Sequence, residues 1–308
     1  MIKVSFSNEV RKEIKATIND MDRQFSCLYG MLLYCRTLSR ESICFQTESS
    51  ISADVFGSLF RKIFRSEIKC SKQVRKNGTV LYSYDISDSD IIGDVYRKYG
   101  FIDGIRTINS EIIATSSIGV FTAGVFLASG SVNDPSKEYH LEFTAPTDIL
   151  AEELTVLLSD IGVTAKTVIR RGQYIVYVKG SEDIEDILTF IGAVQCTIEL
   201  MNVKIYKDVR NKANRIANCD SANIDKVINT ALRQINDINL IKDTIGLESL
   251  SPELIEVAML RLENSSMSLQ EIGDSLAVPI SRSGVNHRFR KLAQIADEIR
   301  SSTDDRKQ

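Results

Sequence analysis

A weak duplication in the N-terminal two thirds of the chain limits its fold more than any other feature. Three pairs of segments are each separated by the same 94 residues, and they begin at Leu28 and Thr122, at Asn77 and Arg171, and at Ser87 and Ser181. The identity within each pair is low, but three coincident offsets are hard to obtain by chance. The spacing therefore indicates two copies of one supersecondary unit, at about residues 20–100 and 117–193.

Each copy has the pattern helix, strand, helix, hairpin, helix. The first hairpin is predicted at Asn77-Gly78, which is a strong two-residue turn signal. The first helix of each copy, near residues 24–36 and 121–129, is apolar nearly all round and is interrupted by small residues, so the two can pack with close backbone approach. We therefore predict an α+β fold for residues 1–203, a pseudo-twofold saddle with these two helices at its seam.

The C-terminal part of the chain carries the strongest functional signal. Ser268 and Glu271 have the spacing of a capping box, which predicts a helix start. An apolar stripe at helical spacing follows, and Pro279 marks a turn before a second helix. The pattern predicts a helix-turn-helix at about residues 268–300, inside an all-α domain of residues 221–308.

The second of these helices is basic on one side. Between Ser275 and Ala296 the chain has four basic residues and no acidic one. A helix with this asymmetry fits the major groove of DNA, where cationic and amide side chains meet phosphates and base edges. Most basic helix faces are simply solvated, and the missing acids are what favour nucleic acid here. The residues predicted to contact double-stranded DNA are Arg282, Ser283, Asn286, His287, Arg290 and Lys291.

Two other cationic clusters are predicted to contact the DNA backbone. The net charge is −3, so positive charge is bunched rather than in excess, as expected of a binder that avoids indiscriminate contact with polyanions. One cluster lies in a predicted basic linker of residues 204–220, for which a merely solvated face is an equal alternative, and comprises Lys204, Lys207, Arg210, Lys212 and Arg215. The other comprises Arg61, Lys62, Lys69, Lys72, Arg75 and Lys76.

Several functional classes are disfavoured by the sequence. No stretch approaches the ~20 apolar residues of a membrane span, and the N-terminus has no apolar signal core. The six cysteines form no CxxC pair and only two histidines occur, so we expect neither a zinc site nor a disulfide framework. No phosphate-binding loop or dinucleotide fingerprint is present. We expect a monomeric cytoplasmic protein, associated with the nucleoid, without a cofactor or metal.

At this point the chain resembles a known family. The segment TAGVFLASG is similar to the LAGLIDADG helix of homing endonucleases, and its combination with a C-terminal helix-turn-helix resembles the WhiA family of bacterial sporulation and cell-division regulators. Residues 121–143, 208–226 and 281–296 carry the resemblance, which extends over essentially the whole chain. It implies a DNA-binding regulator of sporulation, cell-division or chromosome-segregation genes.

The resemblance also implies where a nuclease would hold its metal ions. In LAGLIDADG enzymes the penultimate acidic residue of each motif binds Mg²⁺, and the matching positions here are Cys35 and Ser129. A thiol and a hydroxyl cannot replace two carboxylates, because Mg²⁺ requires hard oxygen ligands. Asp134 follows closely, but its position in a turn before Pro135 favours a local Asx turn. We therefore predict no catalytic residues.

The sequence thus predicts a sequence-specific, DNA-binding transcriptional regulator without nuclease activity. The alternative is a protein-interaction regulator whose saddle binds a sigma factor or another regulator, with DNA binding secondary. The position of the cationic cluster at residues 61–76 distinguishes them. A location on the concave sheet favours DNA, whereas scattering around the exterior favours a protein partner.

Overall fold

The computed structural model describes residues 5–114 and 118–304. The chain divides into two compact units, with the boundary between Asp208 and Val209, and each unit has its own hydrophobic core. The sequence analysis placed this boundary after residue 203.

The N-terminal unit contains two copies of the predicted repeat. Helix α1 (Phe6–Thr17) precedes them and buries Phe6, Val10 and Ile14 along one side. The first copy consists of α2 (Met21–Leu33), β1 (Thr37–Leu38), β2 (Ile43–Thr47), α3 (Ser50–Phe64), β3 (Cys70–Val74), β4 (Val80–Ile86) and α4 (Ser89–Tyr99). After α5 (Ser110–Ala114), the second consists of α6 (Ile118–Ser129), β5 (Gly130–Val132), β6 (Leu141–Ala145), α7 (Asp148–Asp160), β7 (Lys166–Arg170), β8 (Gln173–Val178) and α8 (Ser181–Phe190). The predicted α+β fold with two equivalent repeats is confirmed.

Each repeat forms a four-stranded antiparallel sheet of the same topology. The strand orders are β1-β2-β4-β3 and β5-β6-β8-β7. One face of each sheet carries buried residues that pack on helices, as where the rings of Phe45 and Phe56 stack at 4.1 Å between centroids. The opposite side is called the open face here. On β2 it carries Cys44 and Gln46, which alternate with the buried Ile43 and Phe45.

The seam between the repeats is formed by α2 and α6. A Cβ atom at Gly124 would lie 2.1 Å from the carbonyl oxygen of Cys27, and one at Gly30 would lie 2.5 Å from that of Phe121. Only glycine allows the two backbones to approach so closely. Helix α2 begins at Met21, where Asp20 caps it, and ends at Leu33. This end is three residues before the end predicted from the sequence, at residue 36.

The two hairpins differ in their turns. In the second hairpin Arg170 pairs with Gln173, and Arg171 and Gly172 both have positive φ, as a type I′ turn requires. In the first, the backbone N–H of Arg75 donates to the carbonyl oxygen of Thr79, so three residues form the loop and only Gly78 has positive φ. The prediction of a two-residue turn at Asn77-Gly78 was therefore wrong by one residue.

Residues 204–220, predicted as a linker, are helical. They lie inside α9 (Val194–Thr244), a helix of 51 residues that contains the boundary between the units. From Asp208 to Thr230 every side chain that the structure describes is exposed. The run of Lys, Arg, Asn and Ala, with no proline and no glycine, explains why this solvated stretch is helical.

The C-terminal unit is a small helical bundle. After α9 come a short 3-10 helix (Leu247–Ser249), α10 (Pro252–Glu263), α11 (Leu269–Ser275) and α12 (Arg282–Asp304). Its core gathers apolar residues from all of these elements, including Ile238, Val257, Ile272 and Leu292. Among the described residues, no helix of either unit is long and apolar enough to cross a membrane.

Candidate nucleic-acid interface

The helix-turn-helix begins with the predicted capping box. The hydroxyl oxygen of Ser268 accepts from the backbone N–H of Glu271 at 3.2 Å, and the Ser268 N–H donates to the Glu271 carboxylate at 2.7 Å. The hydrogen bond from the Ser268 backbone is the main cause of a lowered pKa at Glu271. Two of the free donors at the start of α11 are thus satisfied locally.

The turn between α11 and α12 is fixed by backbone contacts. The N–H of Ile280 donates to the carbonyl oxygen of Gly273 at 3.1 Å, and the N–H of Ala277 donates to the Glu256 carboxylate of α10 at 2.6 Å. A Cβ atom at Gly273 would lie 2.4 Å from the Ile280 oxygen. The absence of a side chain at Gly273 therefore sets how closely the turn approaches α11.

Helix α12 is divided sharply into a buried and an exposed side. Val285, Phe289 and Leu292 are buried in the bundle core. Of the six residues predicted to contact DNA, five are exposed and Asn286 is half-buried. All six fall within one half of the helix circumference, because they recur at intervals of one, three and four residues. The sequence prediction and the structure thus define one continuous polar surface, called the α12 face here.

Arg288, the one other basic residue in this part of α12, is turned toward α10. Its side chain is 17% exposed and its Nη2 lies 3.9 Å from the carboxylate of Glu253. Its Nη1 is buried without a hydrogen-bond partner among the described residues. Arg288 therefore supports the position of α12 on the bundle and does not belong to the α12 face.

A buried arginine joins the helix-turn-helix to the long helix α9. Arg261 is 2% exposed, and its Nε donates to Oε1 of Gln234 at 3.0 Å. Its Nη1 donates to the carbonyl oxygens of Ser265 and Met267, at 3.3 and 2.6 Å, and the guanidinium lies 5.4 Å from the ring centroid of Phe289. Burial lowers the pKa of Arg261. Sequence reasoning missed this residue, because a buried arginine has no local signal.

Val278 is a second residue that the sequence analysis missed. It lies in the turn just before α12 and is 74% exposed, although it is apolar. An exposed aliphatic side chain beside a recognition helix is suited to contact a thymine methyl group. The sequence did place this valine directly before Pro279 of the predicted turn, where an exposed side chain could have been expected.

The five cations of α9 do not form one free surface. Lys204 lies 3.2 Å from Glu182 and 3.5 Å from Glu185, and these two carboxylates raise its pKa although desolvation opposes them. Lys207 donates to the carbonyl oxygen of Pro135 at 2.7 Å and lies 4.6 Å from the ring centroid of Tyr139. Both lysines therefore hold α9 to the second repeat. The cations that are exposed are Arg210, Lys212 and Arg215.

The cationic cluster at residues 61–76 is scattered. Arg61 and Lys62 lie on α3, which packs on the sheet side opposite the open face, and Lys69 lies between α3 and β3. Lys72 pairs with Tyr82, whose ring centroid is 5.6 Å from the lysine Nζ, so it projects to the helix side of the sheet. The remaining two are at the hairpin, where Arg75 is bound to Glu48 and Lys76 is exposed in the turn.

The open face of the second sheet carries the cations that were missed. Lys166 pairs with Tyr177, and Tyr177 pairs with Glu142, so these three side chains lie on the same face. Lys179 lies 5.6 Å from the Tyr177 ring centroid, and Arg170 lies 3.7 Å from Glu142. The cations are spaced along a hairpin in the strand period of two, so a search for consecutive basic residues does not find them.

An open cleft lies where the two seam helices end. Its volume is about 880 Å³, and both Cys35 and Ser129 line it. The thiol of Cys35 donates to the carbonyl oxygen of Thr37 at 2.9 Å, and burial raises its pKa to about 12. The hydroxyl of Ser129 donates to the carbonyl oxygen of Val125 at 3.3 Å. Both groups are neutral, and each donates its hydrogen bond to a backbone carbonyl oxygen of its own chain segment.

The carboxylates in and near the cleft are bound by neighbouring groups of the chain. Its two carboxylates are each close to an arginine, Glu48 to Arg75 and Glu142 to Arg170, and the Glu142 carboxylate also lies 3.0 Å from Nε2 of His140. Asp134 accepts from the N–H and the hydroxyl of Ser136, which is the expected Asx turn. Among the described residues, no group of three or more His, Cys, Asp and Glu side chains could hold a metal ion.

These features define a class of protein, in which a duplicated LAGLIDADG-like unit is joined to a helix-turn-helix unit. Family profiles agree, since the WhiA LAGLIDADG-like domain matches residues 118–210 and the WhiA C-terminal HTH domain matches residues 213–296. The chain belongs to the WhiA family.

Relatives of similar length support this assignment. A probable cell division protein WhiA from Lachnospira eligens is 36% identical over 97% of this chain and 98% of that protein. One from Clostridium perfringens is 35% identical over 97% of this chain and 99% of its own length. The full-length DUF199/WhiA structure from Thermatoga maritima has the same fold, with a TM-score of 0.58 and 24% identity over 96% of this chain and 99% of that one.

Proposed function

We propose that this protein is a sequence-specific DNA-binding regulator that controls transcription of sporulation, cell-division or chromosome-segregation genes, and that it does not cleave DNA. The observation that carries the proposal is the α12 face. Its six predicted DNA contacts share one side of a helix whose other side is fixed in a bundle core. A recognition helix needs this combination of a rigid support and an exposed polar surface.

Within the α12 face, side chains divide by the contacts they are suited to make. Asn286 and Arg290 lie four residues apart and can read base edges, since amide and guanidinium groups bond adenine and guanine in pairs of hydrogen bonds. Arg282 and Lys291 lie at the two ends of the face, where phosphates flank a groove. Contacts of the first kind give sequence specificity, and contacts of the second kind give affinity.

Other surfaces supply additional positive charge for backbone contacts. Arg210, Lys212 and Arg215 are exposed along α9, and Lys166 and Lys179 are placed on the open face of the second sheet. Such contacts are not specific for sequence, but each releases counterions and so contributes to affinity.

The chemistry of the cleft supports the proposal that DNA is not cleaved. Cys35 and Ser129 occupy the positions of the metal-binding acids, and both are committed to backbone carbonyl oxygens. The carboxylates nearby are paired with cations. Nothing in this arrangement favours the hydroxide and the two metal ions that phosphodiester hydrolysis uses.

Fluorescence anisotropy of labelled promoter duplexes across a range of salt concentrations tests this function. Replacement of Arg290 by Ala should remove one phosphate or base contact from the α12 face. If Arg290 binds a phosphate, the slope of log affinity against log salt should become shallower by ~0.9, and if it reads a base, the loss should be ~1–3 kcal/mol at one base pair.

Arg97→Ala is the matched control, because Arg97 is exposed on α4 and bonds only to Asp94 within its own helix among the described residues. Equal binding by wild type, Arg290→Ala and Arg97→Ala would contradict recognition by the α12 face.

A second function, binding of a sigma factor or another regulatory protein by the N-terminal unit, has its own support. The cationic cluster at residues 61–76 is scattered, which favours a protein partner over DNA for this part of the unit. A groove of about 550 Å³ on α7 has an apolar floor that includes Leu157 and the 61% exposed Val156, and Glu152 and Asp160 line it. An acidic rim repels DNA and suits a basic segment of a protein.

Titration calorimetry with a purified sigma factor tests this second function. Val156→Glu in the full chain should weaken binding, since it places a charge on the apolar floor. Ser159→Glu, on the exposed side of α7 but outside the groove, is the control. Unchanged binding by Val156→Glu, or no binding by wild type, would reject this role.

A further inference from the structure

The cleft at the end of the seam helices has a thiol and a hydroxyl at the two metal-binding positions, and several cations line it. Besides Cys35 and Ser129, it is lined by Arg11, Arg36 and Arg75. In a nuclease of this fold the corresponding place holds divalent cations, whose charge neutralises the phosphate that is cleaved. In this cleft, arginine side chains supply positive charge at the place where a nuclease holds metal ions.

The acidic residues of the cleft do not cancel this charge. Arg75 is bound to Glu48, and Glu142 is shared by Arg170 and His140. Among the described residues neither Arg11 nor Arg36 forms an ion pair. Two guanidinium groups of the cleft therefore remain without a carboxylate.

Arg36 is the group best placed to bind a ligand. It follows Cys35 directly, is exposed, and its Nη1 donates to Oε1 of Gln46 at 2.5 Å. Gln46 lies on the open face of the first sheet, so the guanidinium is held at the mouth of the cleft. A guanidinium has five N–H donors, and one neutral acceptor leaves most of them available. Hydrogen bonds from Cys44 and Ser83 are the main causes of a lowered pKa at Asp85, and the charge of Arg36 makes a smaller contribution to it.

Arg11 supports the charge from the wall of the cleft. Its Nη2 donates to the carbonyl oxygen of Gly130 at 2.6 Å, and its Nη1 donates to Asn8 at 3.2 Å. Its Nε is buried without a hydrogen-bond partner among the described residues. Burial lowers the pKa of Arg11 to about 10, so the group stays charged at neutral pH. A partly desolvated cation attracts an anion more strongly than one in water.

We propose that this cleft binds a phosphate group directly, with Arg36 as the donor and Arg11 as the supporting charge, in place of the metal ions of a nuclease. The inference rests on the proposed function, because the phosphate is taken to be one of the DNA backbone. A guanidinium matches the geometry of phosphate oxygens and neutralises their charge. It generates no hydroxide, so the DNA is bound and left intact.

The test is DNA binding by the full chain in a chelator, measured by anisotropy with a labelled promoter duplex. Arg36→Gln should weaken binding about eightfold near 0.1 M salt and reduce the salt slope by ~0.9, as expected for one lost phosphate contact. Arg97→Gln, which removes the same charge from the exposed side of α4, should change neither. Added Mg²⁺ should not strengthen wild-type binding.

A set of duplexes with one neutral methylphosphonate at each successive position locates the phosphate. Wild type should lose affinity at one position near the cleft, and Arg36→Gln should be insensitive at that same position. Arg36→Lys should restore part of the affinity, because it returns the charge without the planar donor pair. Thermal unfolding of each variant confirms that it is folded.

The outcomes separate this inference from the function on which it rests. If Arg290→Ala weakens binding and Arg36→Gln does not, the regulator proposal stands and DNA is not the ligand of the cleft. Stabilisation of wild type, but not of Arg36→Gln, by inorganic phosphate would then identify a small phosphate ligand. If neither DNA nor inorganic phosphate responds to Arg36→Gln, the inference is wrong. If Arg36→Gln weakens binding and Arg290→Ala does not, the cleft binds DNA and recognition by the α12 face fails.

Discussion

At the scale of single residues, one buried guanidinium holds the recognition helix in place. Arg261 bonds to α9 through Gln234, to the loop before α11 through two carbonyl oxygens, and contacts the Phe289 ring of α12. These contacts reach three parts of the C-terminal unit from a single side chain. The position of the α12 face therefore depends on a residue that does not belong to that face.

Replacing Arg261 with Ala should destabilise the C-terminal unit by about 2–4 kcal/mol, since three acceptors lose a charged donor and a cavity remains. Urea unfolding of the full chain, followed by circular dichroism, measures the change. Arg233→Ala on the exposed side of α9 is the control and should stay within about 0.5 kcal/mol of wild type. An equally small effect at Arg261 would show that its contacts do not stabilise the unit.

The local sequence predicted which side chains of α12 are exposed, but it did not predict which long cationic side chains are buried or paired. The position of the polar residues on one side of α12 was predictable because helix periodicity separates them from an apolar stripe. Arg261 and Arg288 were not assigned their structural roles, because the local sequence does not show whether a long cationic side chain is buried. Lys204 and Lys207 were predicted at a DNA backbone, yet they bind Glu182, Glu185 and the carbonyl oxygen of Pro135. The burial and the partners of these four cations depend on contacts between residues that are far apart in sequence.

At the scale of elements, glycines fix the closest helix contacts. Gly273 allows the turn after α11 to fold back onto that helix, and Gly30 and Gly124 allow α2 and α6 to meet at the seam. The apolar, small-residue character of the seam helices was visible in the sequence. The continuous helix across residues 204–220 was missed, because a solvated basic segment reads as a linker unless its helix propensity is summed over a long window.

Gly273→Ala should unfold the helix-turn-helix partly and weaken DNA binding at least tenfold, because its Cβ would lie 2.4 Å from a backbone oxygen that cannot move freely. Gly93→Ala is a closely matched control, since it changes a helical glycine with no atom within 4 Å of the added carbon. That variant should be stabilised by about 0.5–1 kcal/mol. Thermal unfolding and anisotropy measure both, and similar behaviour of the two variants would contradict the role of Gly273.

At the scale of the whole molecule, a duplicated LAGLIDADG-like unit is joined to a helix-turn-helix unit. The duplication and the two-unit organisation followed from the sequence, since repeats and capping boxes leave local patterns. The basic open face of the second sheet and the arginine-lined cleft did not, because strand pairing brings their residues together from distant segments.

The whole protein should not cut DNA. Supercoiled plasmid carrying cognate promoters, incubated with the purified protein and Mg²⁺ or Mn²⁺, should remain supercoiled on an agarose gel. The physical reason is that Cys35 and Ser129 supply no carboxylate to a metal. Cleavage by wild type that disappears in Asp134→Ala would contradict this account and would identify Asp134 as a replacement ligand.

Selection of binding sites from a pool of random duplexes by the full chain, with Asn286→Ala and Arg290→Ala in parallel, tests whether the α12 face reads DNA sequence. Wild type should enrich one motif, and each variant should lose preference at a base pair within it while the rest of the motif is kept. If wild type enriches no motif, or if both variants select the same motif as wild type, the α12 face does not read DNA sequence.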